Sequence, residues 1–134
     1  MEILLKDDSM LKCLFVGLGG FVGAVCRYLV GTAFSALTLT FPLATLLINF
    51  VGAVIIGIIT EFSSKIVPIN SNLLLFLTVG VCGGFTTFST FSLETVNLFE
   101  KGKISLGVTY VLASIILCLI GVFLGKSIIR VFAH

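Results

Sequence analysis

Four apolar runs, residues 13–37, 42–60, 73–99 and 104–132, leave little of this 134-residue chain for anything else. Each is roughly the ~20 residues that a helix needs to cross the hydrocarbon of a bilayer. Charged residues make up 10% of the sequence and mean hydropathy is +1.27, values that a soluble domain of this length does not reach. The expected fold is all-α: four transmembrane helices in a single domain, residues 1–134, of which 1–12 form a short solvated lead-in. The first run is too long for a cleavable signal peptide, carries Arg27, and has no small-residue cleavage site ahead of a polar mature domain. What remains outside the runs has no room for a soluble catalytic or nucleic-acid-binding domain.

Net charge is +2 with Lys and Arg standing singly, so no basic stripe points to nucleic acid. Cys13, Cys26, Cys82 and Cys118 fall one to a run with no paired spacing, which argues against a disulfide framework or a zinc site and for buried free thiols. Gly17, Gly19, Gly20, Gly23 and Ala24 form a small-residue stripe, as helices need in order to approach closely where lipid gives no hydrophobic push between them. Two apparent nucleotide motifs fail. In the glycine stripe Val22 stands in place of the last glycine and no strand precedes it, and before Gly125-Lys126-Ser127 the leading glycine is replaced by Ile120.

The informative residues are the polar ones inside the runs. Arg27 is either a functional charge or a long side chain reaching the interface. Pro42 suits the first turn of the second helix, and Asn49 within that helix is either an interhelical hydrogen-bonder or a pore-lining donor. Glu61, Lys65, Pro68, Asn70 and Asn72 mark an aqueous loop before the third run. Gly83-Gly84 followed by β-branched Thr86 and Thr87 predicts that the third helix breaks near the glycine pair and resumes near Thr86 or Thr87. A break at membrane depth persists only where its freed amides and carbonyls meet protein, an ion or water, so the break marks a site. Phe85, Phe88 and Phe91 recur every three residues on one face, beside a polar face of Thr87, Thr90 and Glu94. That pattern fits a pore lining, or a phenylalanine packing ridge with hydroxyls bonded to the preceding turn. Glu94, close to the end of its helix, is a carboxylate at a pore mouth or a snorkelling side chain. Tyr110, Ser114 and Cys118 continue a polar strip along the fourth helix, where Gly121 and Gly125 form a packing pair. Lys6, Lys12, Lys65, Lys126 and Arg130 lie on the side of the termini against Lys101 and Lys103 opposite, which favours cytoplasmic termini but leaves dual insertion open.

Three segments together resemble the Fluc (CrcB-like) fluoride channels: Gly-Gly-Phe-Val-Gly-Ala-Val-Cys-Arg-Tyr at 19–28, Ile-Asn-Phe-Val-Gly at 48–52 and Gly-Gly-Phe-Thr-Thr-Phe-Ser-Thr-Phe at 83–91. The resemblance implies an antiparallel, dual-topology dimer in the cell membrane, formed with a second copy of the chain or with an oppositely oriented paralogue. It also implies two narrow fluoride pores and one structural sodium ion at the dimer centre. Carried over by motif, Asn49 donates to fluoride, Phe88 and Phe91 are the pore-lining aromatic pair, and Thr90 with Tyr110 extends a polar track. Gly83 and Thr86 offer backbone carbonyls to sodium. Fluoride is small and strongly hydrated, so a dry pore has to replace its water with donors and with the positive edges of aromatic rings. Cys118 departs from the pattern, standing where a hydroxyl is expected.

The main alternative is a small four-helix proton-coupled exporter of cationic compounds, which needs a carboxylate deep in the first helix; that helix carries Arg27 instead. A non-transporting accessory subunit would use the small-residue stripes for assembly alone. No set of nucleophile, base and orienting group is visible, and the one histidine is the terminal His134, so no enzyme is expected.

Overall fold

The structure, a computed structural model, describes residues 7–35 and 40–133. Residues 1–6 of the expected lead-in, residues 36–39 of the first connection and His134 lie outside the described residues. All described elements are helical, and four helical stretches are long and apolar enough to cross a membrane.

Helix α1 runs Asp7–Ser35 and so begins inside the stretch expected to be lead-in. The Lys12 ammonium meets the Asp8 carboxylate at 2.6 Å, an i,i+4 pair that supports a helical turn there. At its other end α1 continues to Ser35, within the first apolar run, and the hydroxyls of Thr32 and Ser35 donate to the carbonyls of Tyr28 and Thr32. Cys13 and Cys26 lie exposed on this helix rather than buried, and Cys82 is buried as expected. Helix α2 spans Leu43–Lys65, with Pro42 immediately before its first turn. It carries Glu61 inside the helix rather than in a loop, because that carboxylate is bound by a cation of the last helix.

The third span is built in pieces. Asn70 caps α3, Ser71–Leu75, by accepting from the Asn72 amide at 2.9 Å. A π-helical segment, Phe76–Cys82, follows and leads into the short α4, Gly83–Phe85. The chain then extends at Thr86 (φ −79°, ψ 160°) and Thr87 (φ −152°, ψ 114°) before α5, Phe88–Glu100. The break therefore falls at Thr86–Thr87, after the glycine pair and not at it. Gly83 is helical at φ −64° and ψ −38°, and the glycines serve a different purpose.

That purpose is contact. α1 packs chiefly on the π segment and α4. There the Gly19 and Gly23 backbones lie against Gly80, Val81, Gly84 and Phe85, so that a Cβ at Gly84 would strike the Gly20 carbonyl. The second pair is α2 with α6, Ile104–Phe132, where Gly57 faces the Val122 carbonyl and Gly125 the Val54 carbonyl. α5 lies on α6 with the Phe99 ring over Gly107, beyond a tight turn in which Gly102 takes φ 70°. The buried core is small, built on Leu46, Phe91, Leu98 and Tyr110. Large apolar side chains such as Phe21, Leu29 and Phe123 point outward, as a surface solvated by lipid requires.

Candidate functional site

The site grows from the two extended residues at 86–87, because leaving the helix there releases hydrogen-bonding groups inside the span. Asn49, in the middle of α2, captures both polar groups of Thr87: its Oδ1 accepts from the Thr87 amide at 2.8 Å, and its Nδ2 donates to the Thr87 carbonyl at 3.1 Å. The side-chain amide thus pairs with the backbone as a neighbouring strand would. Both open readings of Asn49 have room in this geometry, since a primary amide has two protons and the second has no acceptor among the described residues. Gly52, one turn further along α2, makes space for the Thr86 methyl.

The Thr87 side chain starts the second half of the span. Its Oγ1 accepts from the Thr90 amide at 3.2 Å, the bond of a helix N-cap, and donates to the Thr90 hydroxyl at 3.0 Å. These diversions leave two carbonyls short of donors. The Thr87 amide, which would otherwise return to the Gly83 carbonyl, is held by Asn49. The Thr90 amide, which would otherwise reach the Thr86 carbonyl, is held by Thr87. A Cβ built on Gly83 meets only the Thr78 carbonyl, at 3.9 Å, so the space beside this residue is open. Released carbonyls beside open space fit a hard cation, which prefers oxygen ligands.

A cavity of about 450 Å³ lies along the break, between α2 and α6, and is lined by Asn49, Gly83, Thr86, Phe88, Phe91 and Ser114 among others. Five of the candidate site residues, Asn49, Gly83, Thr86, Phe88 and Phe91, therefore share one cavity. Phe88 and Phe91 touch at a ring-centroid distance of 5.4 Å, and Phe91 continues to Tyr110 at 5.2 Å. Phe85 does not share their face, because the break separates it from α5. Phe91 is buried, whereas Phe88 is 79% exposed on the single chain.

Glu94 is tied into the bundle. Its two carboxylate oxygens accept from the Thr45 hydroxyl at 2.9 Å and from the Tyr110 hydroxyl at 2.7 Å. Tyr110 is fully buried and its one proton is committed to Glu94. Arg27 lies apart, one turn beyond Gly23, with a buried Nε that has no partner among the described residues. Thr90 is held by Thr87 and does not line the cavity.

Two participants were not named as site residues from the sequence. Thr45 precedes Asn49 by four residues and so shares its helix face, a spacing that could have drawn attention to it. Ser114 stood on the polar strip of the fourth helix, and it is 6% exposed with an Oγ that has no partner among the described residues. Below it Cys118 also lines the cavity and brings a thiol, a weak donor, to that end.

A family model described as "CrcB-like protein, Camphor Resistance (CrcB)" matches residues 14–126. A protein of Ruminiclostridium cellulolyticum named fluoride-specific ion channel is 51% identical over 126 residues, which cover 93% of this chain and 97% of that one. A protein of the same name from Clostridium perfringens is 44% identical over 126 residues, covering 92% and 98%. One from Agrobacterium fabrum is 42% identical over 122 residues, covering 90% and 98%.

Proposed function

The chain belongs to the CrcB-like family and is a multi-pass protein of the cell membrane, and from that membership we propose that it is a fluoride-selective channel through which fluoride leaves the cell passively. The observation that carries this reading is the Asn49–Thr87 pairing at the break, which leaves a spare amide proton on a residue that lines the same cavity as Phe88, Phe91 and Ser114. Asn49 donates to fluoride, while the edges of Phe88 and Phe91 give it weakly positive C–H surfaces. Thr90 and Tyr110 extend the polar set behind the cavity wall, where Thr87 holds the Thr90 hydroxyl and Glu94 fixes that of Tyr110. Arg27 supplies a positive charge toward the pore mouth. Among the described residues no lysine or arginine lines the cavity to trap the anion, which suits an ion that has to leave as readily as it enters.

The assembly we propose is an antiparallel homodimer with two pores and one structural sodium ion. Phe88, exposed on one chain and central to the pore, is covered by the second copy. Sodium would be held by the Gly83 and Thr86 carbonyls of both chains, hard oxygen ligands of the kind such a cation prefers. Bound there, it would satisfy the lone pairs of carbonyls that the break leaves without donors.

Liposomes reconstituted with this chain alone and loaded with fluoride test the function. Fluoride is expected to drain rapidly while chloride stays; efflux no faster than from protein-free vesicles, or equal loss of both ions, rejects the channel. Orientation is tested separately by labelling a single cysteine introduced at Lys101 in intact cells, with the four native cysteines replaced. About half of the chains are expected to react, as equal insertion in both directions requires. Uniform labelling instead means one orientation, and the chain then pairs with an oppositely inserted paralogue.

A further inference from the structure

The membrane end opposite to Glu94 holds a second polar cluster, which the channel reading does not use. It is assembled by the glycine contacts between α2 and α6. Gly57 against Val122, and Gly125 against Val54, set the register of the two backbones, and one turn further along each helix Glu61 comes beside Arg130. The Glu61 carboxylate is buried at 5% exposure, accepts from the Arg130 Nε at 2.8 Å and lies 4.0 Å from the Lys126 ammonium. Lys65 follows Glu61 by one turn on α2. Two cations therefore meet one carboxylate, and a third stands one turn away on the same helix.

The carboxylate needs less than this. One hydrogen bond uses only the ε nitrogen of a guanidinium that has five N–H donors, and the η nitrogens have no partner among the described residues. The Arg130 and Lys126 side chains are 54% and 40% exposed, so the surplus positive charge faces outward. It does so toward the ends of two helices long and apolar enough to span a membrane, where headgroups are expected, with Ile128, Val131 and Phe132 exposed alongside. A donor-rich cationic notch bordered by apolar surface matches an anionic lipid, its phosphate on the cations and its acyl chains along α6.

We propose that Arg130, Lys126 and Lys65 form a binding site for the phosphate headgroup of an anionic phospholipid, with Glu61 holding Arg130 in place for it. Glu61 is the positioning residue and competes weakly with the lipid for the same guanidinium. Arg130 binds the phosphate through its planar pair of η nitrogens, and Lys126 and Lys65 act as point charges.

The test is native mass spectrometry of the full chain in micelles doped equally with phosphatidylglycerol and phosphatidylcholine, a readout that involves no ion flux and so stands apart from the channel reading. The wild type is expected to retain phosphatidylglycerol in clear excess. The preference should fall by roughly fivefold for each cation removed, first in Lys126→Gln, which leaves the Arg130–Glu61 bond intact, and again in Lys126→Gln with Arg130→Gln. Glu61→Gln should keep or raise the preference, since its amide oxygen can still accept from the Arg130 Nε and hold the guanidinium while the competing charge is gone. An unchanged preference in the double variant overturns the site. So does a loss in Glu61→Gln as large as in the double variant, because the cluster then matters only for packing. Inorganic phosphate at millimolar concentration should displace little of the lipid; full displacement would make this a free-anion site instead.

Discussion

Asn49→Leu is expected to lower fluoride efflux by roughly 100-fold while chloride exclusion stays intact. A hydrogen bond to a charged group contributes about 1.5–3 kcal/mol, and each ~1.4 kcal/mol lost from ion stabilisation slows passage about tenfold. The substitution removes the spare amide proton and both bonds that hold Thr87, so loss of flux alone does not separate a broken pore from a missing donor. Asn49→Asp separates them. The carboxylate still accepts from the Thr87 amide and preserves much of the break, but it has no proton to donate and presents negative charge to an anion. Flux should vanish in this variant although the protein assembles as the wild type does. Phe91→Ile should also conduct poorly, because the Phe91 ring links Phe88 to Tyr110 and an aliphatic chain has no positive edge. Wild-type efflux from Asn49→Asp would remove Asn49 from the ion path, and wild-type efflux from Phe91→Ile would remove the aromatic pair.

The second large effect separates two neighbouring glycines. Gly84→Val should prevent recovery of a monodisperse assembly, whereas Gly83→Ala should purify and unfold as the wild type does. At Gly84 any Cβ runs into the Gly20 backbone, and a backbone cannot swing aside as a side-chain tip does. Overpacking of this kind costs about 1–3 kcal/mol for well-tolerated insertions and more where backbone meets backbone. At Gly83 the nearest atom to a new Cβ is 3.9 Å away, an ordinary contact. Size-exclusion profiles and thermal unfolding in one detergent decide the matter. Equal behaviour of the two variants would mean that α1 does not lie against α4 as described.

The contrast shows where the sequence was readable. Run length and hydropathy sufficed for four spans, because lipid forces the backbone to satisfy itself within each helix. Asn49, Gly83, Thr86, Phe88 and Phe91 stood out as polar, small or aromatic residues that a purely lipid-facing helix has no use for, and one cavity collects them. The position of the break was misjudged by two to three residues, since glycine's low helix propensity is outweighed by the gain from close backbone contact with Gly20 and Gly23. What moves the break to Thr87 is a long-range partner, Asn49, and no local preference could reveal it. Glu61 read as a loop residue for the same reason: its cations arrive from a helix 65 or more positions later. The π segment at 76–82 has no visible signature at all, because helix type there is set by the demands of register on both sides.

That segment also bears on how such a chain can change over time. A π turn is what an α-helix becomes when an extra residue is accommodated without moving the ends, so residues 76–82 are a place where length can vary at small cost. Removing one residue there would restore ordinary winding and leave the turns on either side facing as they do now. A residue lost between Gly83 and Thr87, where no wide turn can absorb it, would instead turn everything downstream by about 100° relative to α1, and Thr87 would leave Asn49. Insertions or deletions in the third span are therefore confined to residues 76–82, ahead of the glycine pair. Spacing between Gly83 and Thr87 should vary less among descendants of this chain than spacing within 76–82.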